Sequence, residues 1–84
     1  MSLERYLMAR VDKMTEEVES LLRDMEALED ELRYAISESK VSRDTEKART
    51  LEDLSAGLKE AYDVLKVFYK QLYFVRLKYS QPRF

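Results

Sequence analysis

The sequence predicts an all-α protein, an antiparallel two-helix coiled-coil hairpin. Its 84 residues include a single glycine and a single proline, which leaves little material for the turns of a sheet. A hydrophobic share of 45% with 38% charged residues is typical of coiled coils and bundles rather than of disordered tails. Apolar residues also recur at alternating spacings of four and three in two long stretches.

The first stretch predicts a helix over about residues 3–38, with Ser2 as its N-cap. We label heptad positions a to g, with a and d as the expected core. Position a holds Val11, Val18, Met25 and Leu32, and position d holds Leu7, Met14, Leu21, Leu28 and Ala35. Four uninterrupted heptads indicate a coiled-coil helix.

A polar segment at about residues 39–44 predicts the turn, because serines and Asp44 compete for backbone groups and begin new helices. The second helix is predicted over about residues 45–80, with Pro82 ending it. Its position a holds Leu51, Leu58, Leu65, Leu72 and Tyr79, and its position d holds Leu54, Ala61, Phe68 and Val75. Residues 1–84 are therefore interpreted as one helical-hairpin domain.

Folding the chain back pairs each a residue with a d residue of the other helix. The register that centres the turn on Arg43 sets Leu21 against Leu65 and Met25 against Ala61. This register predicts a core made from positions a and d.

One hairpin seam is a small core for a chain of this size, and neither disulfides nor a metal cluster is predicted to staple it. Position e supplies a second apolar stripe beside the predicted core. We expect a homodimer, closing a four-helix bundle, through this flank. Its predicted interface residues are Met8, Leu22, Ile36, Tyr62 and Tyr69.

The stretch from Ala61 to Tyr79 is unusual because thirteen of its nineteen residues are apolar or aromatic. Several of them point away from the predicted core and alternate with lysines. Such clusters are covered by self-assembly or bind another protein, with nucleic acid or a membrane surface as the lesser alternatives. The predicted partner-binding residues are Val67, Lys70, Tyr73, Phe74 and Leu77.

The composition gives no support for an enzyme. The chain has no cysteine and no histidine, so thiolate metal sites and the commonest general base are excluded. Glu26 and Glu29, with Glu60 and Asp63, have a spacing that resembles the magnesium-binding carboxylates of all-α nucleotide pyrophosphohydrolases. The heptad register turns these four outward, so they are not expected to converge on one ion. No catalytic residue, cofactor or metal is therefore predicted.

The predicted function is a non-enzymatic assembly module, an adaptor or small chaperone-like subunit. The alternative is a nucleic-acid-binding protein, since the C-terminal segment alternates basic and aromatic residues, with Lys66, Lys70 and Arg76 among them. An overall net charge of −2 weighs against it. No apolar run is long enough for membrane insertion and no secretion signal is visible, so a cytoplasmic location is expected.

Overall fold

A computed structural model describes residues 2–80, and it shows a helical hairpin. Helix α1 spans Leu3–Val41 and helix α2 spans Thr45–Ser80. The two helices pack against each other over an elongated body of 64 × 18 × 15 Å. Within residues 2–80 there is no strand, so the predicted all-α hairpin is confirmed.

The turn is built by backbone capping at the end of α1. The amide of Asp44 donates to the carbonyl of Ser39 at 2.9 Å, and the amide of Arg43 donates to the carbonyl of Lys40 at 3.2 Å. This pair of bonds is a Schellman motif, which requires a left-handed residue. Arg43 occupies that position with φ 61°, where glycine is usual. Asp44 then caps α2, because its Oδ1 accepts from the amide of Lys47 at 3.1 Å.

Both helix starts match the prediction, whereas α1 ends three residues later than predicted. Ser2 caps α1 by accepting from the amide of Arg5 at 3.2 Å. Ser39, predicted to start the turn, instead lies inside the helix and is buried. Its hydroxyl donates to the carbonyl of Ala35 at 2.9 Å, so the serine is satisfied without leaving helical geometry. The predicted helix stop at Pro82 lies outside the described residues.

The seam between the helices uses heptad positions a and e. Within the described residues, Thr15, Leu22, Leu32, Ser39 and Ala48 are buried. The half-buried residues continue the same two columns along both helices, apart from Asp12 and Glu19 at position b and Ala35 at position d of α1. The predicted core of positions a and d was therefore half wrong, because position a lies in the seam and, of the predicted d residues, all but the half-buried Ala35 are exposed. Leu22 is 8% exposed, whereas its neighbour Leu21, predicted to face Leu65, is 49% exposed.

Positions a, d and e are all largely apolar, but only two of these three columns can lie between the helices. Position a lies between d on one side and e on the other, so either choice completes a stripe. The e column is rich in small residues, among them Thr15, Ala48 and Ser55, which allow two helix backbones to approach closely. Turning position e inward also brings charged side chains of the two helices together, and the d column is left outside.

Candidate functional site: a polar flank, an apolar face and an outer patch

Polar side chains join the helices along one side of the hairpin, which we call the polar flank. Within the described residues, Asp12 Oδ1 lies 3.2 Å from Arg76 Nε, and Lys40 Nζ lies 3.3 Å from Glu52 Oε1. The carboxylates and Lys40 occupy position b, and Arg76 occupies position e, so these contacts share one edge of the seam.

The third contact on the polar flank is a hydrogen bond of 2.6 Å from the Tyr62 hydroxyl to Glu26 Oε1. Donating to Glu26 raises the pKa of Tyr62, and partial desolvation and the charges of Glu26, Glu29 and Asp63 raise it further. Tyr62 thus stays a neutral donor well above physiological pH. The contact fixes the relative height of the two helices near their middles.

The opposite side of the hairpin is apolar, and we call it the apolar face. On antiparallel helices whose a and e columns meet, the two d columns lie on the same side, away from position b. The members of this face are all exposed: Leu7, Met14, Leu21, Leu28, Leu54, Ala61, Phe68 and Val75. Sequence reasoning missed this surface because it placed those residues in the core.

An open groove lies within the apolar face on α2. It is lined by Gly57, Ala61, Val64, Leu65 and Phe68, together with Glu60 at its rim. Gly57 and Ala61 are the small residues that form its floor, and a Cβ added at Gly57 would meet no atom within 4 Å. The surface at Gly57 is therefore open to a side chain of another molecule.

The predicted dimer-interface residues lie in the seam of the hairpin rather than on a free flank. Leu22 is buried, and the other four are half-buried between α1 and α2. Only a partial surface of each is open to a second molecule, because the helices themselves cover the e column. The residues concerned are Met8, Leu22, Ile36, Tyr62 and Tyr69.

The predicted partner-binding residues do lie together on the surface of α2, and we call them the outer patch: Val67, Lys70, Tyr73, Phe74 and Leu77. All five are exposed. Val67 and Phe74 occupy position c, which points directly away from α1. Phe74, at 66% exposed, is the most accessible large aromatic ring of the patch. Val67 and Phe74 are followed in the chain by Phe68 and Val75 of the apolar face, and position g separates the two columns around α2.

Several basic groups of the nucleic-acid alternative contact other side chains of the same chain. Arg76 pairs with Asp12, Lys66 Nζ lies 5.7 Å from the centre of the Tyr62 ring, and Lys78 Nζ lies 5.6 Å from that of Tyr79. A lysine over a ring covers the face on which a base would stack. The geometry therefore adds nothing that favours nucleic acid over protein.

Neither a metal site nor a membrane-spanning segment is found in the part of the chain that the structure describes. No group of three or more carboxylates there could hold a metal ion. Glu26, considered as a possible ligand, instead accepts the Tyr62 hydrogen bond. Over the same residues neither helix has an apolar stretch that would cross a bilayer.

The comparisons with known proteins add no functional information. No protein-family model matches the chain, and neither the curated proteins nor the solved structures contain a match. The functional conclusion therefore depends on the surfaces described above.

Proposed function

We propose that this chain is a non-enzymatic protein–protein interaction module, an adaptor or assembly subunit that associates with itself into a four-helix bundle and contacts another protein through the outer patch. The proposal keeps the cytoplasmic location expected from the sequence. The observation that carries it is the amount of large apolar surface that one hairpin leaves exposed.

Seventeen large hydrophobic residues are exposed within the described part of the chain, against three buried hydrophobic ones. Apolar side chains scattered singly over a surface need no explanation, but contiguous patches indicate contact with other molecules. Here eleven of the seventeen belong to two surfaces, seven to the apolar face and four to the outer patch. Two surfaces favour a module that binds both a copy of itself and a different protein.

The outer patch has the chemistry of a protein contact. Phe74 and Tyr73 are aromatic rings of the kind enriched at interface centres, and Lys70 lies among the apolar residues, three residues after Val67 and four before Phe74, where it supplies a positive charge. The patch is on the side of α2 that faces away from α1, so a partner could dock there without opening the hairpin. It also lies outside the apolar face, so both contacts could form at once.

The test is a pull-down with the purified full chain as bait, comparing the parent with the double variant Val67→Ser and Phe74→Ser. We expect the variant to lose bound proteins by tenfold or more, because the central rings of an interface carry most of its binding energy. Helicity by circular dichroism should stay unchanged, since both side chains are exposed. The matched control is Tyr34→Ser, which removes a ring that is 69% exposed on the outside of α1.

Two results would refute this function. One is equal recovery of partners by the parent and the Val67→Ser, Phe74→Ser variant. The other is nucleic acid as the main species captured at low salt, with its binding lost when salt is raised to physiological concentration. Binding to phosphates weakens steeply with salt, whereas an apolar protein contact does not.

A further inference from the structure

We infer that a second copy of this chain covers the apolar face, with the two-fold axis parallel to the long axis of the hairpin. In this arrangement α1 of one copy lies against α2 of the other, and both turns lie at the same end. The inference rests on the proposed self-association and specifies its surface and symmetry.

The size of the apolar face fits a copy of the same shape. The face spans 22 residues of each helix, about 32 Å at 1.5 Å per residue. With a width of 18 Å its area is roughly 600 Å², and two such faces together give about the 1,200 Å² at which specific interfaces begin. This stretch extends from Leu7 to Leu28 on α1 and from Leu54 to Val75 on α2, somewhat more than half of each helix. A second hairpin is long enough to cover all of it, whereas a short peptide or a single small loop is not.

The polar flank explains why this face, and not the other, is free to pair. Asp12 with Arg76, Glu26 with Tyr62 and Lys40 with Glu52 already satisfy each other across the seam. Docking a copy on that side would bury charged groups, which is costly unless each finds a new partner. The apolar face carries no such groups along its centre.

Charge at the edges of the apolar face selects the symmetry. The edge of α1 beside the face carries exposed acids at position g, namely Glu17, Asp24 and Glu31. The edge of α2 at the corresponding height is uncharged, with Gly57, Val64 and Gln71. A two-fold axis perpendicular to the long axis, in the plane of the face, would place α1 against α1 of the second copy and bring the two acidic edges together. An axis along the hairpin instead sets each row of acids beside an uncharged row, so the acids stay apart, and Arg10 and Lys78 are the one pair of like charges at position g that it places at the same height.

The heights of the side chains also fit this symmetry. Contacts at Asp12 with Arg76 and at Glu26 with Tyr62 are fourteen residues apart on both helices, so they place Leu21 of α1 within one residue of the height of Phe68 on α2. An axis along the hairpin preserves height, so Leu21 of one copy meets Phe68 of the other. Leu28 likewise comes to the groove over Ala61, where a large side chain faces a small one.

The chain has no native cysteine, so engineered cysteines can test the arrangement directly. Full-length L21C carrying a mass tag is mixed with full-length F68C under mild oxidation. We expect a mixed disulfide dimer as the main product on a non-reducing gel, with at least tenfold less of either self-linked product. The matched control is Y34C, whose position points away from the apolar face and which should not cross-link to either chain.

Sedimentation of the parent chain separates the possible failures. A parent that stays monomeric at high concentration refutes self-association, and with it both the bundle and this arrangement. A parent dimer in which L21C links to itself refutes only the symmetry proposed here, because it places α1 against α1. A parent dimer in which neither L21C nor F68C forms any link shows that another surface is used, and it also overturns the inference.

Discussion

The adjacent pair Leu21 and Leu22 offers the sharpest energetic test of the seam. The two residues have the same chemistry and the same helix propensity, but Leu22 is 8% exposed and Leu21 is 49% exposed. Full burial of a leucine contributes about 1.5–3 kcal/mol, and truncation to alanine leaves a cavity that adds to the loss. We therefore expect Leu22→Ala to lower the free energy of unfolding by about 2.5 kcal/mol. Leu21→Ala should lower it by about 1 kcal/mol in a single hairpin.

Thermal unfolding followed by circular dichroism measures both losses. For a domain of this size, 1 kcal/mol corresponds to a shift in Tm of about 4–8 °C, so Leu22→Ala should melt roughly 10–20 °C below the parent. The dependence on protein concentration distinguishes the stability losses of the two variants further. The deficit of Leu22→Ala should persist at every protein concentration, whereas that of Leu21→Ala should shrink as a dimer dissociates. Equal losses in dilute solution, or a larger loss for Leu21→Ala, would refute the seam of positions a and e.

Two further predictions concern the turn and the polar flank. Arg43→Gly should stabilise the hairpin by about 1 kcal/mol, because glycine adopts the left-handed conformation without the steric cost that arginine bears. The control Arg49→Gly lies inside α2 and should destabilise by a similar amount, and a loss of stability in both variants would contradict the geometry of the turn. Glu26→Ala should lower the pKa of Tyr62 toward its usual value of about 10, as read from ultraviolet difference titration against Tyr62→Phe. Since the folded pKa is the raised one, this contact stabilises fully below the unfolded pKa and is lost as pH rises through the folded value; an unchanged midpoint in Glu26→Ala would exclude the hydrogen bond as its cause.

The sequence predicts the hairpin well because its evidence is local. Heptad spacing reports one helix at a time, and capping depends on neighbours in the chain, so both helix starts and the approximate turn follow from the residues. Ser39 shows the limit at the turn. A serine is as suited to leaving a helix as to bonding the carbonyl four residues back, and the surrounding packing decides between the two.

The choice of seam could not be read from periodicity, because positions d and e are both apolar neighbours of position a. The deciding contacts join residues far apart in sequence, such as Glu26 with Tyr62 and Asp12 with Arg76. One signal in the sequence could have identified these contacts. The acids Asp12 and Glu26 at position b of α1 are fourteen residues apart, as are Tyr62 and Arg76 at position e of α2. The outer patch was easier, because Val67 and Phe74 lie outside either choice of seam.

Thiol protection at Met14 and Thr15 tests the central claim most directly. Thr15 is fully buried in the seam and Met14 is 40% exposed on the apolar face. Single-cysteine variants M14C and T15C are exposed to a thiol reagent over a range of protein concentrations. We predict slow reaction of T15C at every concentration, and fast reaction of M14C in dilute solution that slows as the second copy covers the apolar face. A result in which T15C reacted fast while M14C reacted slowly even in dilute solution would contradict the account.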